Sequence, residues 1–258
     1  GIPIMADRYP YIAAATGLGT FFPEWERAGS SEDFIQRLKD PALDSRFREY
    51  LKNEEREIET WKNVRISAVV TDKNKAYEGM DILACAELSG KTPYEFMRDI
   101  IVEEKNQVGM VKFVMNEDNL KRILAHPQVT VGSDGNAVAD YGVLGRGKPH
   151  PRFYGTFPRF LGKYVREEEI LNWPEAIQKI TSVTAQKLGF KDRGQISRDY
   201  YADLVLFDPE TIIDRATFDD PHQYPTGIQT VIVNGAVVLQ DGDTTGELSG
   251  KILRKVMG

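Results

Sequence analysis

Two stretches of this chain carry side chains whose types and spacing could do chemistry together. Ser133-Asp134-Gly135 closes a short apolar run, Val129-Thr130-Val131-Gly132, and so puts a carboxylate at the carboxyl end of an expected buried strand. Lys148-Pro149-His150-Pro151-Arg152 begins 14 residues after Asp134, in a Gly/Pro-rich segment, and offers an imidazole and a guanidinium. A strand-end carboxylate faced by a loop arginine is the arrangement of an α/β hydrolytic site. A guanidinium there would grip a substrate carboxylate through two parallel hydrogen bonds. Plainer readings stay open beside these. Strand-end aspartates often serve as turn residues, and the arginine could form a structural ion pair.

The elements that must hold these residues are partly legible. Four apolar runs read as barrel strands or their neighbours: Ile2 to Ala6, Val64 to Val70, Val108 to Met115 and Val129 to Gly132. A complete β/α barrel needs eight such units in about 250 residues, so the pattern predicts part of a barrel. The opening Gly1-Ile2-Pro3-Ile4-Met5-Ala6 reads as the start of a buried strand, which suggests a piece of something larger. Helix signals crowd the region between. Ser31-Glu32-Asp33 opens one helix with acids in its first turn. Leu43 to Trp61 has apolar residues at Leu43, Phe47, Leu51 and Ile58. Thr92-Pro93-Tyr94-Glu95 is a capping box with proline at the first helical position. Asn116 and Asn172 cap two more. Residues from Asp134 to about Phe160 read as loop. Beyond Gly189 the pattern turns β, with a strand over Ala202 to Phe207 and an Asn234-Gly235 hairpin.

Composition narrows the function class. At 41% hydrophobic and 28% charged, the 258 residues suit a soluble globular protein able to bury a large core. A net charge of −6 with scattered basic residues disfavours nucleic acid or an anionic membrane as the main partner. No apolar run reaches the roughly 18 residues that span a bilayer. No charged-then-apolar leader opens the chain, so no signal peptide is expected. The single cysteine, Cys85, allows no internal disulfide and fits a reducing cytoplasm, the expected location.

Asp134 and the PHPR loop are followed by Tyr154-Gly155-Thr156-Phe157-Pro158-Arg159, Ile180 to Ala185, Ala202 to Pro209, Ala216-Thr217-Phe218 and Val233-Asn234-Gly235. They are preceded by Ala6-Asp7-Arg8-Tyr9-Pro10-Tyr11. This order is similar to the carboxyl-terminal half of the N-acyl-D-amino-acid deacylases, or D-aminoacylases, of the amidohydrolase superfamily. The combination of YPY, SDG and PHPRxYGTFPR is the specific part; ADLVLFD occurs across the superfamily.

The resemblance implies an α/β fold: the C-terminal part of a metal-dependent β/α (TIM) barrel over residues 1–190, with a helix-rich insertion over about 18–107. A small β-sandwich domain over residues 191–258 is present in part. It implies hydrolysis of N-acyl-D-amino acids to a carboxylate and a D-amino acid. Asp134 would touch the metal, deprotonate the attacking water and later protonate the leaving amine. Arg152 would pair the substrate α-carboxylate, Tyr9 would contact that carboxylate or the developing oxyanion, and Met115 would line the side-chain pocket. His150 could orient Arg152 or Asp134, or order the loop. Zinc, one or two ions, is the implied cofactor. The family's ligands are a His-X-His, a cysteine and two later histidines. Here His126, His150 and His222 form no His-X-His, and Cys85 sits in an apolar helical run. The implied partner is therefore the amino-terminal half of the same enzyme, as a second chain or segment, and no activity is expected of this chain alone.

Ala15 stands where the family commonly has a serine, so one carboxylate hydrogen bond would be either lost or replaced, with Thr16 as a candidate substitute. Phe21 and Phe22 lie near where acid-specific relatives place an arginine, which points to a neutral or apolar D-amino acid. Lys112 would argue the other way, but strand alternation puts it on the face opposite Phe113 and Met115. Two other readings stay open: a cyclic-amide hydrolase like dihydroorotases or hydantoinases, and a non-catalytic binding subunit derived from the fold.

Overall fold

The computed structural model describes residues 4–55 and 58–254, with the side chains of residues 52–55, 58 and 59 left aside. The expected strand residues Ile2 and Pro3 and the side chain of Ile58 thus lie outside the described residues. Nine strands are present among them: β1 (Ala6–Arg8), β2 (Ala13–Gly17), β3 (Val64–Ala68), β4 (Gly109–Phe113), β5 (Val129–Val131), β6 (Leu204–Phe207), β7 (Ile228–Val233), β8 (Ala236–Gln240) and β9 (Asp243–Thr244). They form three sheets, ordered β1-β5, β2-β4-β3 and β6-β7-β8-β9.

Only β1 and β5 run parallel, with Ala6, Asp7 and Arg8 opposite Val129, Thr130 and Val131. The other two sheets are antiparallel. Of the four runs expected to be barrel strands or their neighbours, only the first and last share the parallel pair. The Val64 and Val108 runs pair with each other, and the Val108 run pairs also with β2, in an antiparallel sheet separate from β1-β5. Short apolar runs cannot distinguish these fates, because both bury alternate side chains. Among the described residues the barrel is not closed.

The insertion builds its own core. Phe22, Phe34, Phe47, Trp61, Ile66 and Met97 are all buried in one cluster. Both capping boxes that hold its helices are formed, Ser30 with Asp33 and Thr92 with Glu95. A second core gathers Leu120, Leu124, Val131, Phe160, Tyr164 and Ala176 around β5.

The segment expected to be loop after Pro151 is helical. An α-helix over Arg152–Arg159 runs straight into a wider π-helix over Phe160–Glu167. Pro158 lies inside it, where proline removes a ladder donor and favours such a change of register. Gly155 and Gly162 allow close packing in this stretch. A Cβ at Gly162 would lie 2.3 Å from the Ile212 carbonyl, and one at Gly155 would lie 2.6 Å from Asp214 Cβ. The part of the small β domain present is a single four-stranded sheet among the described residues. Its Asn234-Gly235 turn has positive φ at both residues, as the hairpin signal predicts. Phe207 stacks on Trp173 at 6.1 Å and seats the sheet on the Trp173–Ile180 helix.

Candidate functional site

Parallel pairing sends β1 and β5 out at the same end. Tyr9-Pro10-Tyr11 therefore leaves beside Ser133-Asp134-Gly135, and the Arg152 helix begins against both. Asp134 holds a left-handed φ of 44°, a conformation that aspartate tolerates better than most side chains. This turn presents both its carbonyl and its carboxylate to one guanidinium. Arg152 Nε donates to the Asp134 carbonyl at 2.9 Å, and Nη2 pairs with Oδ2 at 2.8 Å. Arg152 is 5% exposed, whereas the Asp134 side chain is 64% exposed. The cation is thus the buried partner and the carboxylate faces out. Arg152 Nη1 is buried with no hydrogen-bond partner among the described residues. Its guanidinium carbon lies 4.6 Å from the Tyr9 ring centroid.

His150 is 1% exposed, and both its ring nitrogens are engaged. Nε2 donates to the Ala13 carbonyl at 3.0 Å, which leaves Nδ1 to accept from the Arg152 amide at 3.0 Å. Burial pushes its pKa down to about 3, with Arg152, Arg159 and Arg8 pushing the same way against the Ala13 hydrogen bond. His150 therefore has no ring nitrogen left for a substrate. It pins the start of the Arg152 helix to β2 and so orients Arg152.

Arg8 Nη2 reaches the sulfur of the partly exposed Met115 and the Tyr11 carbonyl. Arg8, Tyr11, Arg159 and Asp214 were not singled out from sequence, although all but Asp214 lie in the motifs quoted. Tyr11 donates to Asp214 Oδ2 at 3.2 Å, and Arg159 pairs with the same oxygen at 3.2 Å. Burial, then the Asp214 charge, raises the Tyr11 pKa well above its ordinary value. This buried lock ties the segment before Arg215 to Pro10, whose carbonyl Arg159 Nε also holds.

Other expectations resolve differently. Phe21 and Phe22 are buried in the insertion core, packed on Trp61 and on Phe34 and Phe47. Their rings are engaged within that core. Lys112 packs its ammonium 4.5 Å over Phe21, on the insertion side. Thr16 is exposed and alternates to the face opposite Ala15, so it does not replace the missing hydroxyl.

The donor set does not fit a metal centre by itself. No group of three His, Cys, Asp or Glu side chains among the described residues could hold an ion. Cys85 is fully buried, its thiol pushed up to about 12 by burial. His222 is held by Tyr154 and the Gly147 carbonyl. His126 precedes β5, at the end away from Asp134. No helix among the described residues is long and apolar enough to cross a membrane.

A family model described as "Amidohydrolase family" matches residues 60–239. The D-aminoacylase of Alcaligenes xylosoxydans xylosoxydans is 39% identical over 177 residues, covering 69% of this chain and 34% of that protein. The N-acyl-D-aspartate deacylase of the same organism is 38% identical over 174 residues, covering 65% and 33%. The chain spans about a third of the length of these curated relatives. Among solved structures, the N-acyl-D-glutamate deacylase of Bordetella bronchiseptica, complexed with zinc and a phosphonate inhibitor, superposes with a TM-score of 0.70. It is 30% identical, over 96% of this chain and 42% of that one. A D-aminoacylase structure with a binuclear metal centre gives 0.69 at 32% identity, over 95% and 42%.

Proposed function

The chain belongs to the amidohydrolase family, and from that membership we propose that it furnishes the carboxylate grip and the acid–base carboxylate of an N-acyl-D-amino-acid deacylase. The observation that carries this is the buried Arg152, whose Nη1 has no partner while its other nitrogens hold Asp134 at the strand end. A buried guanidinium with an unanswered donor gains most from an anionic ligand. The free α-carboxylate of an N-acyl amino acid is such a ligand. The Tyr9 phenol, against the same guanidinium, is the second donor, to that carboxylate or to the developing oxyanion.

Asp134 is the base and then the acid. Its carboxylate takes a proton as the water oxygen bonds to the amide carbonyl carbon. It returns that proton to the nitrogen as the C–N bond breaks, releasing a carboxylic acid and a D-amino acid. The exposure of its side chain suits a group that must meet water and substrate. His150 positions Arg152 from behind. Met115 marks the side-chain end of the site.

The relatives include proteins described with zinc or a binuclear metal centre. Ligands for such a centre would come from the amino-terminal portion of the enzyme, on a second chain or segment. The relatives' named activities on N-acyl amino acids favour linear over cyclic amides.

The test is to co-express the chain with an amino-terminal amidohydrolase segment bearing a His-X-His and assay release of free D-amino acid from N-acetyl-D-amino acids. Turnover is expected of the complex. Asp134→Asn should lower kcat about 100- to 10,000-fold. A formed complex that hydrolyses none of the panel, or a D134N complex with undiminished kcat, would sink the reading.

A further inference from the structure

The turn that carries Tyr9 is held from behind. Tyr11 donates its amide to the Tyr9 carbonyl at 3.0 Å, so Tyr9-Pro10-Tyr11 is a tight turn leaving β1. Two side chains fix that turn. Arg159 Nε donates to the Pro10 carbonyl at 2.9 Å, and the Tyr11 hydroxyl donates to Asp214 Oδ2 at 3.2 Å. Arg159 Nη1 pairs with the same Asp214 oxygen at 3.2 Å. Asp214 thus joins both holds, with its side chain 6% exposed. It belongs to the segment that leaves the four-stranded sheet, next to Ile213, which bridges to Thr226. Phe218 of that segment packs edge-on against Tyr11 at 6.4 Å and His150 at 5.0 Å. The Arg152 helix admits the contact at Gly155, where a Cβ would lie 2.6 Å from both the Tyr11 hydroxyl oxygen and Asp214 Cβ. The hydrogen bonds of this lock are all made within the chain.

We infer that Asp214 is a positioning residue for the reaction: through Tyr11 and Arg159 it fixes the Tyr9-Pro10-Tyr11 turn and so keeps the Tyr9 phenol in register with Arg152. This rests on the deacylase reading. Tyr9 is one residue from the Pro10 carbonyl that Arg159 holds, and its ring centroid lies 4.6 Å from the Arg152 guanidinium carbon. A phenol that donates to a carboxylate or an oxyanion works only at hydrogen-bond distance, and a misplacement of about 1 Å costs about 100-fold in rate. A single Asp214 oxygen serves a hydroxyl and a guanidinium at once, and such charge-assisted bonds hold a geometry more firmly than neutral ones. Through Asp214 the small β domain acts on the geometry of the strand-end site from a distance.

The experiment is a double-mutant cycle between Asp214 and Tyr9 in the complemented enzyme, with circular dichroism as the folding check. Where Tyr9 is present, Asp214→Ala should lower kcat/KM about 10- to 100-fold, in the same parameter, kcat or KM, that Tyr9→Phe changes. In the Y9F background D214A should cost about twofold or less, since misplacing the phenol matters only when the phenol is there. Asp214→Asn keeps an acceptor for Tyr11 and should retain part of the activity. A D214A loss that is equal in both backgrounds would make Asp214 a purely structural residue and overturn the inference. Should D214A fail to fold, Tyr11→Phe, which removes a single hydroxyl, takes its place in the cycle. A second readout needs no turnover. In nuclear magnetic resonance of the full chain with isotope-labelled tyrosine, the ring signal lost in Y9F identifies Tyr9, and D214A or Y11F should move it. A Tyr9 signal that neither variant moves overturns the inference. A formed complex without turnover overturns the deacylase reading, and the Tyr9 signal then decides the positioning by itself.

Discussion

The insertion and the strand-end site treat buried charge in opposite ways. In the insertion, Glu104 is 2% exposed and fully answered. Its carboxylate accepts from the Val70 amide at 2.7 Å, the Thr71 amide at 2.9 Å, the Thr71 hydroxyl and Asn74 Nδ2 at 2.6 Å. At the site, Arg152 and Arg8 each bury a nitrogen with no partner. A region that exists to be stable satisfies its polar groups internally, because each unsatisfied one costs about 1–3 kcal/mol. A region that binds leaves donors for the ligand. Glu26 departs from this within the insertion: it is 1% exposed with Oε1 unpartnered, and Arg37 and Arg46 stand off at 3.8 and 4.0 Å.

The contrast can be broken most sharply at Glu104. Glu104→Ala should strand its donors and destabilise the fold by about 3 kcal/mol in urea melts at neutral pH. Burial raises the Glu104 pKa, but its hydrogen bonds outweigh this and hold it below the ordinary value. Its stabilisation is therefore present above the unfolded carboxylate pKa and is lost as pH falls through the folded one. A melt unchanged by E104A would mean that the buried network contributes nothing net.

A smaller effect is expected at the site. Arg152→Lys keeps the charge but loses the fork to the Asp134 carbonyl and carboxylate. In the complemented enzyme it should raise KM about 10- to 100-fold, while changing the melting midpoint less than E104A does. Equal damage to stability and KM would make Arg152 a structural ion pair, the plainer reading.

Glu26→Gln should change stability least, by about 1 kcal/mol or less. Burial, only partly offset by Arg46 and Arg37, raises the Glu26 pKa. Its contribution is thus favourable below the unfolded pKa and is lost as pH rises through the folded one. The wild-type stability curve should carry this slope in the acid range, and E26Q should remove it. A loss of several kcal/mol at neutral pH would show that Glu26 is as fully answered as Glu104.

Local chemistry was legible where one residue decides it. Thr92 and Asn116 accept at the helix starts the sequence marks, and Asn234-Gly235 turns the hairpin. The Asn172 helix is capped as expected but stops at Thr181, which donates its hydroxyl to the Ile177 carbonyl before a second helix begins at Ser182. Legibility failed where partners are distant. Nothing near Val64 or Val108 says that they pair across the insertion, and the close approach of Gly155 and Gly162 to Asp214 and Ile212 exists only once those distant residues are brought against them. Arg8 lay unread inside a quoted motif, because its contacts with the Met115 sulfur and the Tyr11 carbonyl are made only in the folded chain.

The sequence by itself determined the family, the strand-end aspartate and the arginine that follows it, because motif and turn chemistry are local. Only the tertiary structure decided which groups are answered. Parallel pairing of β1 with β5 sets Tyr9 beside Asp134, and His150 reaches back to β2 to fix the start of the Arg152 helix. The same packing leaves a nitrogen of Arg8 and one of Arg152 open, since burial and hydrogen bonding belong to neighbours far apart in the chain.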